Sequence, residues 1–431
     1  MAQIVSQAKT PEIGQVIDEA MGHIERENVQ LKNVLYKVFT NPNLDKGRLG
    51  ELIDIIGNIQ LHSKDNKNED VLGQVYEFFL GKFANSEGKN GGQFYTPESI
   101  VKTIVSCLEP TYGRVYDPCC GSGGMFVQSE KFVEAHQGNL GDISIFGQES
   151  NGTTWKLCKM NLAIRGIEVD LGKEPADTFT KNQHVTKKMD FIMANPPFNI
   201  KDYWHESLTG DARWQYGTPP EGNANYAWLQ HMVHQLKPNG VAGIVLANGS
   251  LSSNTSSEVD IRKAMIEGDI VDCVIAMPDK LFLTTGIPAC IWILNRGKGT
   301  NPKHRTREKE TLFIDARNMG TMIDRKLREL KTEDIEKIAE TYHSWRTEGG
   351  EYQDVKGFSK AAKLEDIIKH DYILTPGRYV GIPDEEDDGI PFEDKMAELT
   401  SKLSEQFSKS NQLEKEIREN LKSIGFELPN G

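Results

Sequence analysis

The sequence predicts an α/β fold: a doubly wound, mostly parallel, Rossmann-like sheet of seven strands, one of them antiparallel, with an N-terminal helical domain and a C-terminal helical tail. Three observations carry this. Short apolar runs of strand length alternate with helical stretches between residues 114 and 294. The first run, Arg114-Val115-Tyr116-Asp117, leads into Pro118-Cys119-Cys120-Gly121-Ser122-Gly123-Gly124, a glycine-rich turn that opens a helix. A later run, Met189 to Ala194, stops at Asn195-Pro196-Pro197-Phe198, where prolines must end a central strand.

With 431 residues, 38% of them hydrophobic, the chain has room for a large core and two or three domains. The expected boundaries are 1–90 for the helical domain, 91–320 for the sheet, and 321–431 for a helical region suited to partners. No apolar run approaches the ~20 residues that cross a bilayer. Nor does the N-terminus read as a basic-then-apolar leader, so the cytoplasm is the expected compartment. The six cysteines (Cys107, Cys119, Cys120, Cys158, Cys273, Cys290) lack Cys-x-x-Cys spacing and sit in apolar segments; free buried thiols are expected, and no metal. A net charge of -13 argues against tight nucleic-acid binding by this chain alone, because that affinity comes from Lys and Arg on phosphates. If the chain works on DNA, a partner must help.

Along the chain, apolar residues at helical spacing predict helices over 12–39 and 49–61, and a third after the polar break 62–69. Gln93-Phe94-Tyr95-Thr96-Pro97-Glu98 then leads into a helix from Ser99 to Leu108, with Thr96 as N-cap and Pro97 at the first helical position. Free N–H groups there make a seat for a carboxylate, although a well-capped helix start without any ligand reads the same way. The turn from Gly121 to Gly124 clears side chains from a ligand's path. Lacking Gly-Lys-Ser/Thr, it is not a phosphate loop. The second strand, Ile143 to Gly147, ends at Gln148-Glu149, and an acidic residue there is placed to take both hydroxyls of a ribose. Asp177 is expected to end a third strand near an adenine amine, with solvated surface charge as the competing reading.

The fourth strand ends at Asn195. Residues before proline are held extended, so the Asn195 carboxamide and the Pro196 carbonyl can face the same way, followed by the flat ring of Phe198. Two adjacent acceptors suit a planar exocyclic amine such as the N6 of adenine, whose delocalised lone pair is a poor nucleophile. Acceptors placed for the pyramidal geometry of the reacting nitrogen favour the transition state. Taken alone, the same residues also read as a plain Pro-Pro turn. Order decides: an adenosine-type site on strands one to three, then an amine site on strand four, brings a cofactor and a substrate to neighbouring strand ends.

Residues 199–225 read as a loop in which Trp204, Trp214 and Tyr216 accompany Lys201 and Arg213; it is either a lid or nucleic-acid contact, or a loop tucked onto its own domain. Strands follow at 241–247, 270–276 and 289–294. The last two are too close for a helical crossover, which predicts a hairpin with an antiparallel strand at the sheet edge. A strand at 312–315, helical residues 321–346, an extended piece at 372–380 and an acidic linker at 384–388 come next. From Phe392 to Ile424 a thin apolar face recurs at three- and four-residue steps, as in one half of a coiled coil or bundle.

The set Gln93 to Pro97, Asp117 to Gly124, Gln148-Glu149 and Asn195 to Phe198, in that order, resembles the amino-methyltransferases that modify DNA adenine. More specifically it resembles the methylase (M) subunits of type I restriction-modification systems. Lys159-Met160-Asn161-Leu162, Asp211 to Gly217, Asn225-Tyr226-Ala227-Trp228 and the stretch from Leu281 to Cys290 add to the resemblance, which covers about residues 70 to 380. It implies a methyltransferase-type sheet, S-adenosylmethionine (AdoMet) as methyl donor, and N6 of adenine in duplex DNA as acceptor. It also implies a complex with a specificity (S) subunit that reads the DNA, a second methylase subunit and, in some systems, a restriction (R) subunit. By motif, Gln93, Phe94, Tyr95, Thr96, Pro97, Glu98, Asp117, Gly121, Ser122, Gly123, Gly124, Glu149 and Asp177 are expected to hold AdoMet. Asn195, Pro196, Pro197 and Phe198 are expected to hold the adenine. The N-terminal helical part is shorter than is usual in the family, and Cys119-Cys120 stands where small residues are common. Competing readings are a methyltransferase acting on a protein glutamine or an RNA base, and a non-catalytic assembly module that keeps the sheet as scaffold.

Overall fold

The computed structural model describes residues 2–57, 72–73, 75–76, 78–80, 96–136, 142–282, 285–382, 392–423 and 426. Its centre is a mixed sheet built from β1 (Gly113–Asp117), β2 (Ile143–Gly147), β3 (Val169–Asp170), β4 (Met189–Ala194), β5 (Leu236–Ala247), β6 (Val271–Ala276), β7 (Ala289–Asn295) and β8 (Glu310–Asp315). After a separate two-stranded ribbon of β9 (Thr321–Met322) and β10 (Arg328–Glu329), β11 (Ser359–Lys363) returns to the sheet. The strand order is β3-β2-β1-β4-β5-β7-β6-β8-β11. Seven strands, β3 through β6 in that order, are the expected doubly wound core, and β8 and β11 extend it.

Period-two burial makes the two faces. Val115, Ile145, Phe191, Met193, Ile275 and Ile291 point into one apolar layer, and Tyr116, Ile192, Ala194, Val274 and Trp292 into the other. The first layer is covered by α4 (Glu98–Leu108), α5 (Gly124–Ala135), α6 (Gly152–Ile164) and α9 (Thr332–Arg346). The second is covered by α7 (Asn225–Gln235), α8 (Ser256–Glu267) and α10 (Leu364–Lys369). Helices on both faces explain why the central strands are continuously apolar rather than alternating with polar residues.

Several sequence expectations change. The strand after the hairpin, β7, is antiparallel as expected but lies inside the sheet, paired with β5 on one side and β6 on the other. It is not an edge, because it inserts between β5 and β6; beyond β6 the sheet continues with β8, parallel to β6, and β11, which pairs antiparallel with β8 as a second antiparallel strand. A buried charge network holds this extension. Asp272 on β6 accepts two bonds from Arg307, each 3.1 Å, and one of 2.7 Å from the Tyr342 hydroxyl on α9. The third strand is Val169–Asp170, so it does not end at Asp177, which lies in the following loop.

The N-terminal part contains α1 (Ala2–Ser6), α2 (Ile13–Glu27) and α3 (Lys46–Gly57) around Ala8, Ile13, Ile17, Leu49 and Ile53. The single helix expected over 12–39 stops at Glu27. Beyond it, the Asp18 carboxylate takes the backbone N–H of Phe39 and of Thr40, and Glu25 takes that of Leu35, folding the chain back along α2. Residues 58–71 lie outside the described residues.

Contacts divide the chain after Ile382 rather than at 320, because α9, β11 and α10 pack on the sheet. The second unit carries α11 (Phe392–Ser423), a helix of 32 residues along which Met396, Leu399, Leu403, Phe407, Leu413 and Ile417 are all exposed. The acidic stretch 384–388 lies outside the described residues. Among the described residues no helix is long and apolar enough to cross a membrane.

Candidate cofactor and acceptor site

The carboxyl ends of β1, β2 and β4 bring Asp117, Glu149 and Asn195 to one edge of the sheet. Between them runs the glycine turn. Gly121 and Gly123 have φ of 53° and 88°, the left-handed region that a side chain strains. At Gly123 a Cβ would also sit 2.9 Å from the Cys158 sulfur, whereas at Gly124 it would meet nothing within 4 Å. The turn is pinned from three sides: Cys120 N–H donates to the Gln148 carbonyl, Gly121 N–H to Glu149 Oε2 at 3.1 Å, and Asn161 Nδ2 to the Ser122 carbonyl at 2.7 Å. Asn161 belongs to α6, which explains one of the supporting motifs. Gln148 is structural: its amide bonds the carbonyls of Ala176 and Lys181 and the N–H of Gln183.

Burial pushes the Asp117 carboxyl up to about 7, with repulsion from Glu149 adding to it and the bond from Cys119 N–H opposing. Glu149 is also pushed up by burial, even though it accepts the N–H groups of Gly121 and Asn151. Such carboxyls are ready to ionise next to a cation.

Two cavities open here. The smaller, about 40 Å³, is lined by Thr96, Glu98, Val101, Asp117, Cys119, Cys120, Gly121, Ser122, Gly124, Met125, Gln128, Asn161 and Asn195. The larger, about 300 Å³, is lined by Pro118, Cys119, Gly121, Glu149, Ser150, Asn151, Asp177, Thr178, Phe179, Asn195, Pro197, Ile200, Asp202, Tyr203 and Trp228. Cys119, Gly121 and Asn195 border both. Among these described lining residues there is no Lys, Arg or His, and five carboxylates are present. A phosphate is therefore disfavoured, and a ligand bearing a cation and hydroxyls fits.

Asn195 is half-buried at the end of β4. Its Nδ2 donates to the Thr96 hydroxyl at 3.0 Å, and its Oδ1 is enclosed with no partner among the described residues. Thr96 thus serves Asn195 rather than capping a helix: α4 starts at Glu98, and Pro97, with φ -54° and ψ 134°, stands just before it in extended conformation. After the motif the chain turns through Asn199, at φ 54°, held by a reciprocal pair with Asn225 of 3.2 and 2.8 Å.

Of the residues expected to form the site, Thr96, Glu98, Asp117, Gly121, Ser122, Gly124, Glu149, Asp177, Asn195 and Pro197 line the two cavities. Pro97, Gly123, Pro196 and Phe198 are not among the lining residues, and Gln93, Phe94 and Tyr95 lie outside the described residues. Phe198 packs edge-on against Phe282, centroids 5.5 Å apart. The aromatic wall of the larger cavity is instead Phe179, Tyr203 and Trp228, which sequence spacing does not single out. Asp177 turns the chain toward that wall by accepting the N–H groups of Phe179 and Thr180.

The Trp- and Tyr-rich loop is tucked onto its own domain. Arg213 is 8% exposed, pairs with Asp211 at 2.7 Å, and donates to the carbonyls of Thr178 and Phe179, so it braces the cavity wall and is not available to DNA. Trp214 is buried, with its indole N–H on the Leu208 carbonyl. The cysteines are free, five of them buried and Cys119 partly so.

Comparison with known proteins follows the same lines. The model of the N-6 DNA methylase family matches residues 67–388. The type I restriction enzyme HindI methylase subunit of Haemophilus influenzae is 53% identical, over 96% of this chain and 93% of its own length. The type I restriction enzyme MjaIX methylase subunit of Methanocaldococcus jannaschii is 38% identical, over 98% of this chain and 75% of its own. Among solved structures, the type I restriction-modification system methyltransferase subunit from Streptococcus thermophilus superimposes with a TM-score of 0.72 at 25% identity, covering 88% of this chain and 79% of that one.

Proposed function

The chain belongs to the N-6 DNA methylase family, as an adenine-specific DNA methyltransferase of the kind found in type I restriction-modification systems, and from that premise we propose how its residues do the work. The donor is AdoMet, which when bound supplies an electrophilic methyl group on a sulfonium. Glu98, Asp117, Gly121, Ser122, Gly124, Glu149 and Asp177 are the described residues that hold it. The fit rests on the donor set: carboxylates for a cationic ligand and its ribose hydroxyls, a glycine turn with open space at Gly124, and no cation among the described lining residues.

The acceptor is the N6 of an adenine turned out of duplex DNA, because a stacked base cannot bring its amine to a site at the strand ends. Asn195 Oδ1 and the Pro196 carbonyl take the two N–H bonds of the amine, which leaves its lone pair directed outward. Phe179, Tyr203 and Trp228 receive the base face, with Phe198 behind the motif. Positioning supplies most of the rate, since the amine needs alignment more than it needs a base.

The observation that carries this reading is Asn195: a single carboxamide borders both cavities, and its oxygen is an enclosed acceptor without a partner among the described residues. The family supplies the partners: a specificity subunit that reads the sequence, a second methylase subunit and, in some complexes, a restriction subunit. A net charge of -13 is consistent with a chain that does not hold DNA tightly by itself. The apolar stripe of α11 is the surface for that association, and the cytoplasm is the working compartment. The test is transfer of label from AdoMet to duplex DNA by the chain complexed with its specificity subunit. Asn195→Ala should abolish transfer and leave AdoMet binding intact; transfer retained by the variant would overturn the assignment.

A further inference from the structure

A side-chain carboxamide can be seated either way round. At Asn195 the neighbour is the Thr96 hydroxyl, which can accept from an N–H or donate to a carbonyl oxygen and so anchors the carboxamide in either seating. With Nδ2 committed to the Thr96 hydroxyl at 3.0 Å, the end left over is the acceptor Oδ1. Turned the other way, the carboxamide would offer N–H groups to an incoming amine, donor against donor.

We propose that Thr96 is a positioning residue for methyl transfer: its hydroxyl anchors the Asn195 carboxamide where the two cavities meet, so that the group that aligns the amine is held in place for the reaction. The proposal rests on the reading of Asn195 as the group that aligns the amine. It changes the expected role of Thr96, which the motif resemblance assigns to the cofactor alone. Two further features support it. The helix that follows has no side-chain cap, so the Thr96 hydroxyl is not spent on α4. The bond also joins segments 99 positions apart across the smaller cavity, which both residues line, so the cofactor-side segment and the amine-aligning group share one contact.

The experiment uses the chain assembled with its specificity subunit, single-turnover methyl transfer to duplex DNA, and a separate measurement of AdoMet affinity. Thr96→Val keeps the shape and deletes the hydroxyl. It should slow the transfer step by about ten- to a hundred-fold, as expected for a misaligned group, while AdoMet affinity and the KM for DNA change by less than about twofold. Thr96→Ala should show the same loss, which guards against a misfit of the Val side chain, and Thr96→Ser should restore most of the rate.

Wild-type rates in both the Val and Ala variants would overturn the proposal. So would a loss of AdoMet affinity as large as the loss of rate, since that is the behaviour of a cofactor contact, or a Ser variant as slow as the Val one. Transfer that survives Asn195→Ala would sink the underlying reading of Asn195. An inactive Asn195→Ala beside a normal Thr96→Val would sink only the role of Thr96.

Discussion

Replacing Asp117 with Asn should stabilise the ligand-free protein near neutral pH and weaken its hold on AdoMet, a trade set by one buried carboxyl. Burial raises its pKa from 3.8 to about 7. At about 1.4 kcal/mol for each tenfold change in proton affinity, ionised Asp117 costs the fold about 4 kcal/mol. Asp117 is only 3% exposed, so solvent screens little of this. The sign follows from the direction: with the folded value raised, the stabilising contribution is complete below about pH 3.8 and is lost as pH climbs to about 7. Asn carries no such loss. Melting curves of the two proteins should therefore diverge between pH 4 and 7, the variant above, and run parallel at higher pH. A bound cation reverses the preference, because AdoMet favours the ionised carboxylate. Wild-type affinity should fall by up to about tenfold per pH unit below 7 and level off above it, with a proton released on binding; the variant should show neither. Calorimetry in buffers of different ionisation enthalpy reads the proton directly. Coincident pH profiles of melting would refute the burial argument, and a pH-independent affinity would refute the placement of this carboxyl beside the donor.

Two other predictions concern stability and assembly. Asp272→Ala leaves the fully buried Arg307 guanidinium without its counter-charge and the Tyr342 hydroxyl without its acceptor, and should cost about 3–5 kcal/mol in urea unfolding; a loss under about 1 kcal/mol would contradict the network's role. Burial alone would raise the Asp272 carboxyl, but Arg307 and Lys298 more than offset it and hold it below the usual range, so this contribution is present above about pH 3.8 and disappears as acid reaches the lowered value. Removal of residues 383–431 should leave the melting temperature and AdoMet binding of the remaining body unchanged while abolishing its co-elution with the specificity subunit. Lost AdoMet binding would show that the two units depend on each other.

The parts of the fold legible in the sequence are those where local chemistry leaves one choice. Glycines at positive φ after Asp117, and prolines after Asn195, interrupt apolar runs and so announce strand ends; Asp117, Glu149 and Asn195 do meet at one edge of the sheet. Where the choice is made by distant partners, the reading fails. The helix over 12–39 has adequate apolar spacing, yet Asp18 and Glu25 capture backbone groups ten or more positions ahead and end it. β11, Ser-Lys-Ala-Ala-Lys, has almost no apolar signal, because an edge strand is exposed on one side and its lysines protect it. β7 reads as an edge from its hairpin alone, because the pairing with β5 that places it inside the sheet is a long-range contact.

The site divides along the same line. An aromatic ring directly after Asn-Pro-Pro reads as a base platform, but Phe282 competes for that ring, and the larger cavity draws its aromatic wall from a loop, a turn and a helix with no common spacing. Arg213 among Trp and Tyr reads as a free cation, but Asp211, two positions earlier, already neutralises it and turns it onto two carbonyls. The proposed chemistry stays readable because the element it rests on is a residue type at a strand end, Asn195. The placement of that carboxamide is a different matter. Its anchor is a hydroxyl 99 positions away, and no local pattern around either residue predicts that they touch. Residue identity thus tells what can react, while long-range contact tells where the reacting groups are held, and in this chain the proposed instance is the bond between Thr96 and Asn195.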